Sequence, residues 1–341
     1  MKQRFRALDG WRGILAVAVV MAHLSTTWSM STYLAVDVFF ILSGFVITHR
    51  YGDDLWRRKL SLLGFFGKRA RRLMPLHLGV LLAVLAVASA FQVLAIPTAL
   101  SGDPAISGTL CAPLQIAWDA ALLSNIVPPP CGMNSWGVNG PSWSISLELW
   151  VGAAFALLFL APPRWRIGIA IAVALACYVH IGMSFGHMHG VKDNTLGILN
   201  VGMLRAAGGF CLGYIAYVAA SKLKDSVTVS GATVAEAVIV AALAACFVQP
   251  WEQPSDLAIP AIGFLLAVIF AIEKGAISRA LHVPPIQALG AYSFAIYLIH
   301  QPLYRLFDAL ALPADRFLVA ALVCLTAIAL VRDRFSTARP A

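Results

Sequence analysis

What this chain can fold into is limited first by one repeated pattern. Runs of 17 or more mostly apolar residues recur along it, separated by short polar stretches. The 341 residues are 60% hydrophobic and 12% charged, whereas a soluble domain is about half apolar and a quarter charged. In hydrocarbon, every backbone polar group must be satisfied internally, so runs of this length are expected to be helices. We therefore expect an all-α fold, a polytopic integral membrane helical bundle. Spans are expected near 12–28, 33–50, 76–96, 143–161, 167–183, 196–219, 231–248, 257–273, 288–304 and 315–331, about ten transmembrane helices in all. The run 113–127 is too short to cross and reads as a re-entrant or surface-lying helix.

The formal charge of +9 invites a nucleic-acid reading, but its distribution argues against one. If the N-terminus is inside, the alternate loops and tails on that side hold 21 of the 25 Lys and Arg residues, and the long segment 97–142 holds none. This is the positive-inside pattern, so both termini are expected in the cytoplasm and no nucleic acid as a partner. The basic, then apolar, N-terminus imitates a secretory leader. Arg12 and His23 interrupt that run and no A-x-A site follows, so retention is expected. No internal repeat is evident, and nothing after Val331 is long enough for a soluble appendage. A single membrane domain over 1–341 is expected. Cys177, Cys211, Cys246 and Cys324 fall within spans and read as packing residues. Cys111 and Cys131 share the segment placed outside, where a disulfide and two free thiols are both open.

Ionisable groups at membrane depth are costly and mark function by default. Arg12 and His23 are eleven residues apart. On a helix that leaves them about 20° apart on one face and about 16 Å apart along the axis. Asp9 is within pairing reach of Arg12. A snorkelling arginine and a satisfied core histidine are the structural alternative. Lys68, Arg69, Arg71 and Arg72 form a basic cluster just before the third span. They suit phosphate binding or, equally, topology and anionic lipid. In PSWSISLELW, Ser144 and Glu148 share a helix face, and Glu148 is an unbalanced acid that should meet a cation or an imidazole. Ser293, Tyr297, His300 and Tyr304 form one polar stripe, read either as an interhelical hydrogen-bond seam or as part of a site. Asp37 and Arg205 are further buried charges that can neutralise others. His187 and His189 are too sparse for a metal site, and no metal is expected.

Taken in order, RGILAVAVVMAH, DVFFILSGFVIT, KRARRLMP, WSISLE and YSFAIYLIH resemble the membrane-bound acyltransferase family 3, bacterial O-acyltransferases that decorate surface glycans and related molecules. The resemblance runs through essentially the whole chain. The soluble esterase-like domain that some members carry after the membrane part is not expected here. The resemblance implies transfer of an acyl group, most readily acetyl, from cytoplasmic acetyl-CoA to a hydroxyl of a surface or exported glycan or glycolipid. It implies location in the bacterial cytoplasmic membrane, no bound cofactor, a catalytic His23 and roles for Arg12, Arg69 and Arg72. Added to the residues' own chemistry, this gives an expected mechanism. Arg69, Arg71 and Arg72 receive the donor's phosphates, and Arg12 holds its anionic end as it enters the bundle. His23 acts as general base, or as a nucleophile carrying the acyl group. Glu148 orients His23. Tyr297, Ser144 or a backbone N–H stabilises the oxyanion, and His300 completes the substrate-contacting set. The alternative is a proton-coupled transporter or flippase of a glycan or glycolipid, which would leave the Arg-His and Trp-Ser-Glu motifs unexplained.

Overall fold

A computed structural model describes residues 3–23, 31–93, 111–132, 136–197, 199–250, 252–310 and 323. The long helices are α1 (Arg6–His23), α2 (Ala35–Trp56), α3 (Leu62–Val93), α5 (Ser142–Phe155), α6 (Pro163–Ser184), α7 (Val201–Leu223), α8 (Val229–Phe247), α9 (Ile259–Ile272) and α11 (Pro284–Ala309). Shorter helices are α4 (Ala112–Ala120) and α10 (Ala276–Ala280). A small antiparallel hairpin, β1 (Asn194–Leu196) and β2 (Leu199–Asn200), precedes α7.

Among the described residues, seven helices are long and apolar enough to cross a membrane. The protein is an all-α, multi-pass membrane protein. Helices α1 and α11 fall outside those seven, and they are the ones that carry His23 and His300. In α1 the reason is plain: Arg6, Asp9 and Arg12 lie within its 18 residues.

Nine of the ten expected spans overlap described helices, and 315–331 lies outside the described residues except for Val323. Three boundaries need correction. Helix α1 starts at Arg6 and its described part ends at His23, so Arg12 sits inside the helix rather than at its entry. The expected sixth span, 196–219, begins instead in the hairpin, and α7 starts after Asn200, whose side chain accepts the Met203 N–H at 2.9 Å. The largest correction concerns 51–75, expected as a loop. Helix α2 runs on to Trp56 and α3 begins at Leu62, so the basic cluster Lys68–Arg72 is helical. Hydropathy stops at the first charge, whereas the helical ladder does not. Pro75 sits inside α3, where it costs one ladder bond without ending the helix. The short apolar run near 113–127 contains the nine-residue α4. A Cys111–Cys131 disulfide (Cα–Cα 6.3 Å) ties its start to the turn at 130–132.

Helices α2, α7 and α9 form the centre, while α6 and α8 turn most of their apolar residues outward. Close approach of α2 and α7 depends on glycine. A Cβ at Gly44 would lie 2.3 Å from the Phe210 carbonyl oxygen, and one at Gly213 would lie 2.1 Å from that of Ile41. The same seam buries Asp37 and Arg205. Nε and Nη2 of Arg205 donate to the two carboxylate oxygens at 2.9 and 2.5 Å, and Nη1 donates to the Met188 carbonyl at 2.7 Å. The two charges read from the sequence neutralise each other.

Candidate active site

Helices α1 and α11 run side by side in parallel, and glycine again fixes the register. A Cβ on Gly13 would lie 2.6 Å from the Gly290 nitrogen, and one on Gly290 would lie 2.2 Å from the Asp9 carbonyl oxygen. The start of α1 is tied to the same neighbourhood: the Ala7 N–H donates to Glu273 at 2.9 Å, and Gln287 of α11 donates to the Arg6 carbonyl at 2.8 Å. Two parallel helices advance equally, about 15 Å over ten residues. From the Gly13–Gly290 crossing, that step brings His23 opposite His300, with ring centroids 4.9 Å apart.

Each imidazole bonds to its own helix through Nδ1, His23 to the Val19 carbonyl at 2.9 Å and His300 to the Tyr297 carbonyl at 2.5 Å. A carbonyl only accepts, so both Nδ1 atoms carry the proton. In the neutral rings, Nε2 is then the basic nitrogen. His23 is exposed at the end of α1, whereas His300 is 2% exposed and its Nε2 has no hydrogen-bond partner among the described residues.

Nearer the start of α1, a small pocket of about 40 Å³ is lined by Arg12, Ser43, Ser144, Glu148, Ser293 and Tyr297, together with apolar side chains. Ser144 Oγ and the Tyr297 hydroxyl are hydrogen-bonded at 2.8 Å. Glu148 accepts from Arg69 Nη2 at 2.6 Å and from Ser43 Oγ at 3.2 Å. Glu148 therefore meets a cation, as an acid at that depth should. Among the described residues its partners are Arg69 and Ser43, and His23 is not one of them. Its expected place as the orienting carboxylate of His23 is corrected: the parallel register of α1 and α11 gives His23 a ring from α11, while Glu148 faces α3.

A cleft of about 990 Å³ opens beside these residues, bounded by α1, α2, α3 and α11. Its volume is at the upper end for small-molecule sites. Its mouth carries Arg4, Asp9, Arg12, Arg50 and Arg72, and its deeper wall is apolar, with Val80, Val84, Val87, Leu303 and Leu306. Asp9 pairs with Arg4 at 2.7 Å rather than with Arg12. Arg12 and Arg72 have no carboxylate within ion-pair distance among the described residues. From Arg72 to Val87, α3 lines the cleft over about 22 Å.

The structure divides the expected arginine cluster. Arg72 faces the cleft, Arg69 is buried on Glu148, and Arg71 is exposed, donating to the Gly67 carbonyl at 3.2 Å and lining neither cavity. Helical spacing explains the split: residues 69 and 72 share a face, and 71 is turned about 100° from 72. Arg50 and Ser43 belong to the site and were missed as individual residues. Ser43 lies in the stretch FFILSGF, and a hydroxyl inside an apolar run was its one visible signal. In the segment between α6 and α7, His189 pairs with Glu252 at 3.0 Å, and no group of three or more metal-ligating side chains occurs among the described residues.

The family model described as "Acyltransferase domain" matches residues 5–331, and the chain belongs to that family. It is 33% identical over 160 residues to "Protein 2 in picA locus" of Rhizobium radiobacter, covering 45% of this chain and 82% of that protein. It is 24% identical over 325 residues to a peptidoglycan O-acetyltransferase of Listeria monocytogenes, covering 88% of this chain. It is also 34% identical over 86 residues to an O-acetyltransferase of Staphylococcus aureus, covering 25% of this chain and 14% of that protein. The chain spans 49% of the length of the Listeria relative. No solved structure matches the chain.

Proposed function

We propose that the protein is a membrane-bound O-acyltransferase that moves an acyl group, most readily acetyl, from cytoplasmic acyl-CoA to a hydroxyl of an envelope glycan or glycoconjugate. It does so in the bacterial cytoplasmic membrane, with ten spans and both termini inside. The observation that carries this reading is the cleft: cations at one end, an apolar wall beyond, and bounded by the two helices that hold the paired histidines. A donor with phosphates at one end and a long thin arm fits a tract of that polarity.

The phosphates sit on Arg12, Arg50 and Arg72, and the arm runs along α3 and α11. Arg69 keeps its bond to Glu148, which holds the cationic end of α3 against α5. The acceptor oxygen attacks the thioester carbonyl carbon while His23 Nε2 takes its proton. The tetrahedral intermediate expels the thiolate, the C–S bond breaks, and His23 returns the proton to sulfur. The Tyr297 hydroxyl, backed by Ser144 and with its ring 5.7 Å from that of His300, is the donor for the oxyanion. That envelope glycan is the acceptor is supported by the names of the Listeria and Staphylococcus relatives.

The test uses membranes carrying the full chain, supplied with radiolabelled acetyl-CoA and cell-envelope material. Label should appear in ester-linked acetyl on sugar. His23→Ala should lower that transfer by about 10²–10⁴-fold while the protein still elutes as folded in detergent. Transfer at the wild-type rate in that variant would end the scheme.

A further inference from the structure

His300 has a feature that substrate contact does not require. It is nearly fully buried, its Nδ1 is committed to the Tyr297 carbonyl, and its Nε2 has no hydrogen-bond partner among the described residues. A buried polar atom without a partner is costly, and in a native structure it calls for a reason. The ring beside it is that of His23, which also has Nδ1 spent on its own helix and a basic Nε2. In the resting, neutral state the pair therefore holds two unprotonated nitrogens, and the buried one, on His300, has no donor among the described residues. One proton added to the pair supplies the donor that His300 lacks, because imidazolium donates where imidazole accepts.

We propose that His23 and His300 act as one base: the proton that His23 takes from the acceptor hydroxyl is stabilised by His300 Nε2 until it is returned to the leaving sulfur. This rests on the O-acyltransferase reading above and deepens it. His23, exposed at the helix end, touches the reacting oxygen. His300, buried behind it, acts through His23 and is a positioning residue.

The proton balance is closed. The acceptor O–H bond breaks as the carbon–oxygen bond forms. The proton becomes the second N–H of His23, with His300 Nε2 as its acceptor. It then leaves on the CoA thiol as the carbon–sulfur bond breaks. Both rings end neutral with their starting tautomers, because neither Nδ1–H exchanges its carbonyl. No outside oxidant, reductant or metal is needed. The Gly13–Gly290 contact gives the pairing its precision, since it holds the two helices in the register that faces 23 with 300.

The experiment is a comparison of wild type, His300→Asn and His300→Phe in membranes supplied with acetyl-CoA and envelope material. Asparagine keeps a short donor toward the Tyr297 carbonyl and removes the distal nitrogen. Phenylalanine keeps the ring volume. Both variants should lower kcat by tenfold or more with KM for acetyl-CoA within twofold of wild type. The pH profile should change as well. Loss of the acceptor disfavours the protonated pair, so the acidic limb of the kcat–pH curve should move to lower pH in His300→Asn. A folded His300→Asn enzyme with wild-type kcat would overturn the shared base, as would an unshifted acidic limb. If neither variant folds, His300→Gln, which keeps a distal polar atom, must fold and restore part of kcat, and a folded, inactive Gln variant overturns the proposal. A wild-type protein that transfers nothing from acetyl-CoA instead defeats the acyltransferase reading itself, so the two failures are told apart.

Discussion

Among the described residues, two arginine–carboxylate pairs lie within the bundle, and they are built differently. Asp37 and Arg205, joining α2 to α7, are both 0% exposed, and every guanidinium nitrogen has an acceptor: two on the carboxylate and one on the Met188 carbonyl. Arg69 and Glu148, joining α3 to α5, share one bond, and Arg69 Nε has no partner among the described residues. Nearby, Arg12 lines Glu148's pocket, and Arg12 and Arg72 line the cleft without carboxylates of their own. The first pair is closed: charge and donors match, and nothing is left to offer a ligand. The second stands beside surplus positive charge that faces a cavity. Buried ion pairs are weak evidence for stability in themselves; what separates structure from site here is whether the local charges cancel.

The sharpest way to break that contrast is to remove the acid from each pair. Asp37→Asn should cost on the order of 3–5 kcal/mol, since it leaves Arg205 buried and unpaired, with a large fall in Tm. Glu148→Gln should cost less than half of that and act mainly on acyl transfer. Equal Tm losses would erase the distinction. Next in size is the helix contact that sets the histidines opposite one another. Gly13→Val should destabilise by about 1–3 kcal/mol through overpacking and should cut acyl transfer more than its Tm loss explains. An active, folded variant would show that the α1–α11 register is not needed.

A smaller effect is expected at the surplus cations. Arg72→Ala should raise KM for acetyl-CoA about tenfold, roughly 1.4 kcal/mol, with kcat little changed. Arg71→Ala, on the other face, should leave both constants alone. An identical response of the two would return the cluster to topology.

A pH-dependent effect lies outside the spans. Lys192, in the loop before the hairpin, lies over the Trp136 ring at 4.1 Å. Burial pushes its ammonium down to about 7, with Asp119 pulling less strongly the other way. Between there and the ordinary lysine range, the unfolded chain holds a proton that the folded loop lacks. Stability should therefore rise with pH above about 7 through this residue. In Lys192→Met the rise in Tm with pH should flatten, and an unchanged curve would mean that Lys192 keeps its proton.

How much of this was legible beforehand differs by residue. Arg12, His23, Glu148 and the 297–300 stripe could be singled out because an ionisable or polar group in an apolar run is costly wherever it ends up. The helical run of 62–75 was not legible, because a charged, proline-containing stretch looks like a loop to hydropathy while its backbone bonds are indifferent to side-chain charge. Nor was the fate of Arg71, which depends on a 100° turn about an axis whose neighbours are unknown from one chain segment. Asp37 and Arg205 were visible as charges, but 168 positions apart their pairing is a property of the α2–α7 seam.

The sequence alone determined that the chain is a helical membrane protein and which few side chains in it are expensive. Apolar length and buried charge are local quantities, and lipid penalises them locally. The tertiary structure decided the partners: Glu148 with Arg69 instead of His23, Arg72 but not Arg71 on the cleft, and His23 against His300. Those choices follow from helix rotation and register, set by backbone contacts such as Gly13 with Gly290, between helices at opposite ends of the chain.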